Sequence, residues 1–286
     1  MKIAIWGCGN PVLDIIPILQ SANIEIAYVK VDNVGDEDFF SSLKKLNIVY
    51  YTDAYPPMRL DMIFVINYNR IISSDVIADN LVVNCHMGLL PKWRGNSANG
   101  WGIINGENYV GYTIHRVTEV LDAGPSYYQY KYPYKENETY YHAKKAMSED
   151  LNSILPLLLY NIVHDPERYL HLKKSEFVYC SKFRPADGFI YDWNVTTEEL
   201  IRCFYVFAPP LGTGLKFVFK GTVYEISRLS AIEGFAKSKG IPGGVVYKNG
   251  NSVWIKTQDT AVSLDEIKCD GEILSISSLF IVGQRL

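Results

Sequence analysis

The chain opens on an apolar run, "KIAIWG" (residues 2–7), with no polar position to mark an exposed face, which predicts a strand buried on both sides. The next stretch, "VLDIIPILQSA", changes period: its apolar residues recur every three to four positions and predict an amphipathic helix. The two patterns then alternate. "IEIAYVKV", "IVYYT", "MIFVIN" and "LVVNCH" read as strands, "DEDFFSSLKKLN" and "SSDVIADN" as helices. Strands alternating with helices predict parallel pairing and a doubly wound, mostly parallel α/β sheet. In such sheets ligands bind beyond the carboxyl ends of the strands.

The pattern continues with a helix over "NSANGWGIINGE", capped by Asn96 or Ser97, a strand "YVGYTIHRV", a loop "TEVLDAGPS" and a strand "SYYQYKYPY". A long helix follows, "NETYYHAKKAMSEDLNSILPLLLYNIV", in which Pro156 predicts a bend. Residues 166–187 have little periodicity and several polar clusters, and predict a linker. Beyond them "GFIYDW" predicts a turn and "TTEELIRCFYVFAPP" a helix. Short strands then follow at close spacing: "GLKFVFKG", "TVYEISRLS", "GGVVYKN", "SVWIKTQ" and "TAVSLDEIK". This is the pattern of a small β-barrel or open sheet. The expected organisation is an α/β domain over 1–165, a linker over 166–187 and a β-rich domain over 188–286.

An apolar content of 48% in 286 residues supports a core in one large domain or two smaller ones. The net charge of −3, with no Lys/Arg-rich run, argues against nucleic-acid binding through a basic patch. The 21 tyrosines fit interfaces or ring stacking, and fit plain packing as well. The five cysteines are odd in number, widely spaced and without a CxxC, so no metal site is expected and a reduced compartment fits best. The longest apolar stretch, "ILPLLLYNIV" at 154–163, is too short to span a membrane, and "MKIAIWGCGNP" reads as a first strand rather than a signal peptide. Gly7 and Gly9 in "GCGNPV" lack the third glycine of a dinucleotide fingerprint, so a tight βα turn is the better reading.

The candidate chemistry lies in "NCHMGLLPKWRG" (84–95) and in Asp122 of the later loop. Asn84 and His86 stand two apart at a strand end, which puts both on one face. An imidazole can take a proton from an attacking amine or donate to an oxyanion. A side-chain amide can hold that oxyanion, an effect of about 3–4 kcal/mol where such a donor has been removed elsewhere. A carboxylate near the imidazole raises its proton affinity and fixes its orientation. The set suits attack of a nucleophile on a carbonyl without a covalent enzyme intermediate, because Cys85 between the two polar residues points to the opposite face. On spacing alone, a turn-forming Asn and a satisfied His fit equally well. His115 reads as a core or sheet-edge histidine, and His142, His164 and His171 as surface residues.

The stretch from Asn84 to Pro125 resembles the signature of the folate-dependent formyltransferases: Asn-x-His, Leu-Pro-x-Trp-Arg-Gly, Trp-x-Ile-x-Asn-Gly, Gly-x-Thr-x-His and Asp-x-Gly occur in that order. Upstream "VINYNRIISSDVI" is similar too, and downstream "DWNVTTEELIRCFYVFAPPLGTGLKF" and "PGGVV" resemble the carboxyl-terminal barrel of the methionyl-tRNA and nucleotide-sugar formyltransferases. The resemblance implies a formyltransferase-type, Rossmann-like sheet followed by an OB-like barrel. It implies N10-formyltetrahydrofolate as co-substrate and Asn84, His86 and Asp122 as catalytic residues. It places the pterin between two loops, with Tyr68, Asn69, Arg70 and Ile71 on one and Val117, Val120 and Leu121 on the other. Lys92, Trp93 and Arg94 are the expected acceptor contacts, against the alternatives of a solvated loop with Arg94 paired locally and Trp93 packed beneath it. Many members carry Ser where Gly88 stands.

Three acceptors compete: methionyl-tRNA, a nucleotide-linked amino sugar and glycinamide ribonucleotide. The second domain argues against the last. From residue 185 onward there are 10 Lys/Arg and 11 Asp/Glu, and "VKVDNVGDEDFF", where the tRNA enzymes carry a basic insertion, is short and acidic. A tRNA acceptor needs basic surface. The expectation is therefore a small-molecule nucleotide-sugar acceptor in a cytoplasmic enzyme of polysaccharide biosynthesis, with no nucleic-acid or membrane partner and with a homodimer allowed. A methionyl-tRNA formyltransferase, and a non-catalytic folate or nucleotide-sugar binding protein, are the alternatives.

Overall fold

The computed structural model describes all residues except 33, 34, 171, 173, 174 and 233–238; the expectation for His171 therefore lies outside the described residues. In chain order the elements are β1 (Lys2–Gly7), α1 (Asn10–Ser21), β2 (Glu25–Lys30), α2 (Glu37–Lys45), β3 (Tyr50–Tyr51), β4 (Met62–Ile66), α3 (Ser74–Asp79), β5 (Val82–His86), β6 (Trp93–Gly95), α4 (Ala98–Ile104), β7 (Tyr109–Arg116), β8 (Ser126–Pro133) and α5 (Tyr140–His164). Then come β9 (Val178–Cys180), β10 (Phe189–Ile190), α6 (Thr197–Val206), β11 (Leu215–Phe219), β12 (Thr222–Ala231), β13 (Val245–Asn249), β14 (Ser252–Lys256), β15 (Ala261–Cys269), β16 (Glu272–Leu274) and α7 (Ile276–Leu279). Two compact units result: 1–99, 109–132 and 145–181 form one, and 100–108, 133–144 and 182–286 the other.

The first unit is built on a seven-stranded sheet of order β3-β2-β1-β4-β5-β7-β8. Pairing is parallel from β3 through β5, and β7 then runs antiparallel to β5. Register places Lys30, Trp6, Val65, Asn84 and His115 in one lateral row across five strands. Side chains alternate between faces of a strand, so this row shares one face. Trp6 and Val65 belong there to a buried cluster with Ala4, Tyr28, Ile63 and Val82, over which Tyr55, Tyr68, Ile72, Val76 and Val117 pack. The other face of β7 carries Tyr112, whose hydroxyl donates to Asp150 of α5. The helix α5 buries Met147, Leu151, Leu155 and Leu159 one turn apart, at about 2 kcal/mol of burial each, and runs on through Pro156. The polar residues of the row therefore lie on the face that α5 leaves to loops and to α3.

The segment expected to be a linker carries order of its own. Val178, Tyr179 and Cys180 pair in parallel with Trp93, Arg94 and Gly95, and Leu170 bridges to Ser126. Three residues are too few for a period of two to declare itself, which is why the pattern hides β9. In the second unit the strands follow the path β10-β11-β12-β15-β14-β13, with β16 on β15. Phe189–Ile190, expected as a turn, pairs in parallel with β11. Among the described residues no helix is long and apolar enough to cross a membrane.

Candidate active site

Asn84 and His86 lie at the carboxyl end of β5, and cross-strand pairing sets them opposite His115 and Thr113 of β7. The loop after β7 turns back to present Asp122. Two local features make that turn. Asp122 has φ of 49°, the left-handed region that Asp tolerates better than most residues. Gly124 lies so close to the end of β7 that a Cβ there would sit 1.8 Å from the Arg116 carbonyl oxygen. The Asp-x-Gly pattern is thus a steric requirement for returning the carboxylate to the sheet.

Asp122 is a buried bridge between two imidazoles. One oxygen is 3.5 Å from His86 Nδ1, the other 3.5 Å from His115 Nε2, and the Gly95 N–H donates to the carboxylate at 2.7 Å. His86 Nε2 lies 2.7 Å from the Trp93 carbonyl oxygen. A carbonyl only accepts, so Nε2 carries the proton and Nδ1 is the bare nitrogen of the neutral ring. His115 Nδ1 is 2.9 Å from the Arg116 carbonyl oxygen, and the Asn84 amide nitrogen is 3.2 Å from His115 Nε2. Burial lowers the proton affinity of His86, opposed by Asp122 and the Trp93 carbonyl. Burial pushes Asp122 up, but His115, His86 and the Gly95 N–H outweigh it and hold the carboxyl below its ordinary range. The resting pair is a neutral imidazole beside an ionised carboxylate, which is the state of a general base. Burial pushes the Cys85 thiol up to about 12, which removes it as a nucleophile.

The remaining expected residues surround this centre in different ways. Tyr68 packs on the Trp6 ring, the Asn69 N–H donates to Asp32, and Arg70 reaches Asp53 at 4.0 Å. Ile71, Val120 and Leu121 are exposed, and the Val117 N–H donates to the Val82 carbonyl. Lys92 is exposed and lies over the buried Trp93 ring, so the contribution of Trp93 to the centre is its backbone carbonyl. The Arg94 guanidinium stacks on Phe177 at 4.1 Å and donates to the Tyr179 hydroxyl at 3.4 Å. His115 is the member that sequence reasoning set aside. Its position on a strand, flanked by apolar residues, is the same signal that a core histidine gives; the Gly-x-Thr-x-His pattern includes it, and the register opposite Asn84 places it beside the centre. Among the described residues no group of three or more His, Cys, Asp or Glu side chains is arranged to hold a metal.

Comparison with known proteins bears on this centre. Residues 41–159 match the family described as "Formyl transferase" (Formyl_trans_N). Over 208 residues the chain is 29% identical to the bifunctional polymyxin resistance protein ArnA of Wigglesworthia glossinidia brevipalpis, covering 66% of this chain and 31% of that protein. The chain thus spans about a third of the length of this relative. WlaRD, a sugar 3N-formyl transferase solved in the presence of dTDP and 5-N-formyl-THF, superimposes with a TM-score of 0.66 at 17% identity, over 95% of this chain and 98% of its own. HypX from Aquifex aeolicus, in complex with tetrahydrofolic acid, gives 0.61 at 19% identity, over 98% of this chain and 46% of its own. At these identities the likeness to the two structures is one of fold. The span matched to the formyl transferase family contains the whole Asn84, His86, His115 and Asp122 cluster.

Proposed function

We propose that this protein is a folate-dependent N-formyltransferase that moves a formyl group from N10-formyltetrahydrofolate to the amine of a nucleotide-linked amino sugar. The observation that carries this reading is the buried Asp122 carboxylate facing His86 Nδ1 at 3.5 Å, beside Asn84 at the carboxyl end of a parallel strand within the span that matches the formyl transferase family. The folate supplies the formyl carbon. Ile71, Val120 and Leu121 are exposed on the two loops expected to line it, as an apolar ring site requires.

The acceptor amine attacks the formyl carbon. His86 takes the amine proton at Nδ1, the nitrogen left bare by the bond to the Trp93 carbonyl. The imidazolium so formed sits between two acceptors, the Trp93 carbonyl and Asp122, and Asp122 remains ionised throughout. Asn84 spends one amide N–H on His115 and has a second to donate to the developing oxyanion. The C–N10 bond then breaks as the His86 imidazolium gives its proton to the nitrogen of the leaving folate, which restores the neutral base. In this reading residues 1–165 carry the chemistry and residues 188–286 form an OB-like barrel, with Lys92 and Arg94 available to acceptor phosphates.

The balance of 10 Lys/Arg and 11 Asp/Glu from residue 185 onward supports a small acceptor over tRNA. The test is a panel of nucleotide-linked amino sugars, with methionyl-tRNA beside them, assayed for folate-dependent formylated product by mass spectrometry. Formylation of at least one amino sugar and not of methionyl-tRNA is expected. Formylation of methionyl-tRNA alone would transfer the assignment to the tRNA enzymes. Folate binding with no acceptor formylated would leave a binding protein.

A further inference from the structure

We propose that His115 is a positioning residue of this site, one that aims the Asn84 amide and shares the Asp122 carboxylate with His86. The inference rests on the formyl-transfer reading above. His115 is 2% exposed, and its ring reaches two of the three residues expected to carry the chemistry: Asn84 at 3.2 Å and Asp122 at 3.5 Å, both from Nε2. A histidine kept only for packing would need its nitrogens satisfied by any nearby polar group. Here Nδ1 takes the Arg116 carbonyl at 2.9 Å, and this single contact dictates the rest. The carbonyl can only accept, so the neutral ring has its proton on Nδ1 and a lone pair on Nε2. That lone pair receives an N–H from Asn84, which fixes which end of the amide faces β7 and leaves the second N–H directed by the first. The ring also lies edge-on to His86, with centroids 6.3 Å apart and Asp122 between them, so the charge state of either imidazole is felt by the other through one carboxylate.

The groups facing His86 are Asp122 from the loop after β7, His115 from β7 and the Trp93 carbonyl from β6. The groups facing His115 are Asp122, Asn84 and the Arg116 carbonyl; the Arg116 guanidinium itself is turned to Glu167 and Tyr169. His115 opposes a positive charge on His86. Removing its ring lifts that opposition and raises the proton affinity of His86. The acid limb of the rate profile, which reports the base in the free enzyme, then moves to higher pH.

The experiment compares His115→Ala and His115→Gln with the native protein by two readouts. The first is the NMR titration of the His86 ring in ligand-free protein, assigned by its disappearance in His86→Gln. The second is kcat and KM with the accepted amino sugar across pH. The expected result is an upward shift of the His86 titration in both variants. For His115→Ala, kcat falls about 10- to 100-fold, as a misplaced catalytic group costs, with KM for the folate within about twofold, and Gln restores part of the loss. An unmoved His86 titration overturns the proposal, as does a kcat for His115→Ala within about twofold of native. A loss that follows only the fraction of folded protein, with no rescue by Gln, also overturns it. If no acceptor is formylated by the native protein, the formyl-transfer reading fails, and the His86 titration still decides the coupling by itself.

Discussion

A methyl group would be enough to disturb His86. A Cβ on Gly88 would sit 2.4 Å from His86 Nε2 and 2.8 Å from both the Trp93 carbonyl oxygen and the Ala98 Cβ. The glycine is what lets the imidazole lie flat enough to reach that carbonyl, and a serine at this position needs the ring or the backbone to move. Gly88→Ala is expected to break the bond between His86 and Trp93, at a cost of about 1–3 kcal/mol for forcing volume into a packed site. The carbonyl raises the proton affinity of His86, so its loss moves the ring titration further down. An NMR titration and a thermal melt of the variant check both; an unmoved titration with native stability contradicts the packing argument. At this scale the sequence was informative where a polar residue interrupts an apolar run. Asn84 and His86 close the strand "LVVNCH", and Asp122 stands in a turn, so all three draw notice. His115 reads from the strand pattern as a core or sheet-edge residue, because an imidazole inside an alternating strand looks the same whether it serves the core or a site. The role of the Trp93 carbonyl was invisible for another reason: a backbone atom leaves no trace in residue type.

Periodicity found nearly every long element, and missed most of those two or three residues long. The alternating strands of the first unit, α5 and the run of short strands after α6 follow from apolar spacing alone. β9, β10 and β16 do not, since pairing partners rather than local pattern decide whether three residues extend. The antiparallel entry of β7 beside β5 is likewise a tertiary choice, and it is what sets His115 opposite Asn84. In the second unit, α6 shows how an element end is held by a distant residue. Thr196 caps it by accepting from the Glu199 N–H, and Asp259 accepts from the N–H groups of Thr197 and Thr260 and from the hydroxyls of Thr197 and Thr257. Burial pushes the Asp259 carboxyl up, but these donors outweigh it and bring the pKa down to about 2. A depressed carboxylate stabilises the fold above its unfolded pKa, about 4, and loses that contribution as pH falls through the folded value. The urea midpoint of Asp259→Ala should therefore lie below that of the native protein near neutrality, with the gap closing between about pH 4 and pH 2. A gap independent of pH would mean that the carboxylate charge is not what holds the helix.

Across the molecule, the proposed chemistry depends on bringing together residues from 84 to 122 through a sheet whose row of paired positions runs from Lys30 to His115. The mixed α/β class with its parallel-rich sheet could be read from spacing, and the motif proposed the residues of the centre. The acceptor could not, because charge balance limits its size without describing its shape. The central claim is that His86, backed by Asp122, is the base for amine attack on a formyl carbon. Single-turnover formyl transfer by His86→Gln, with folate affinity measured on the same sample, tests it most directly. Folate binding within about threefold of native and a transfer rate lower by about 100- to 10,000-fold is the predicted result. A transfer rate close to native, with folate still bound, would contradict it.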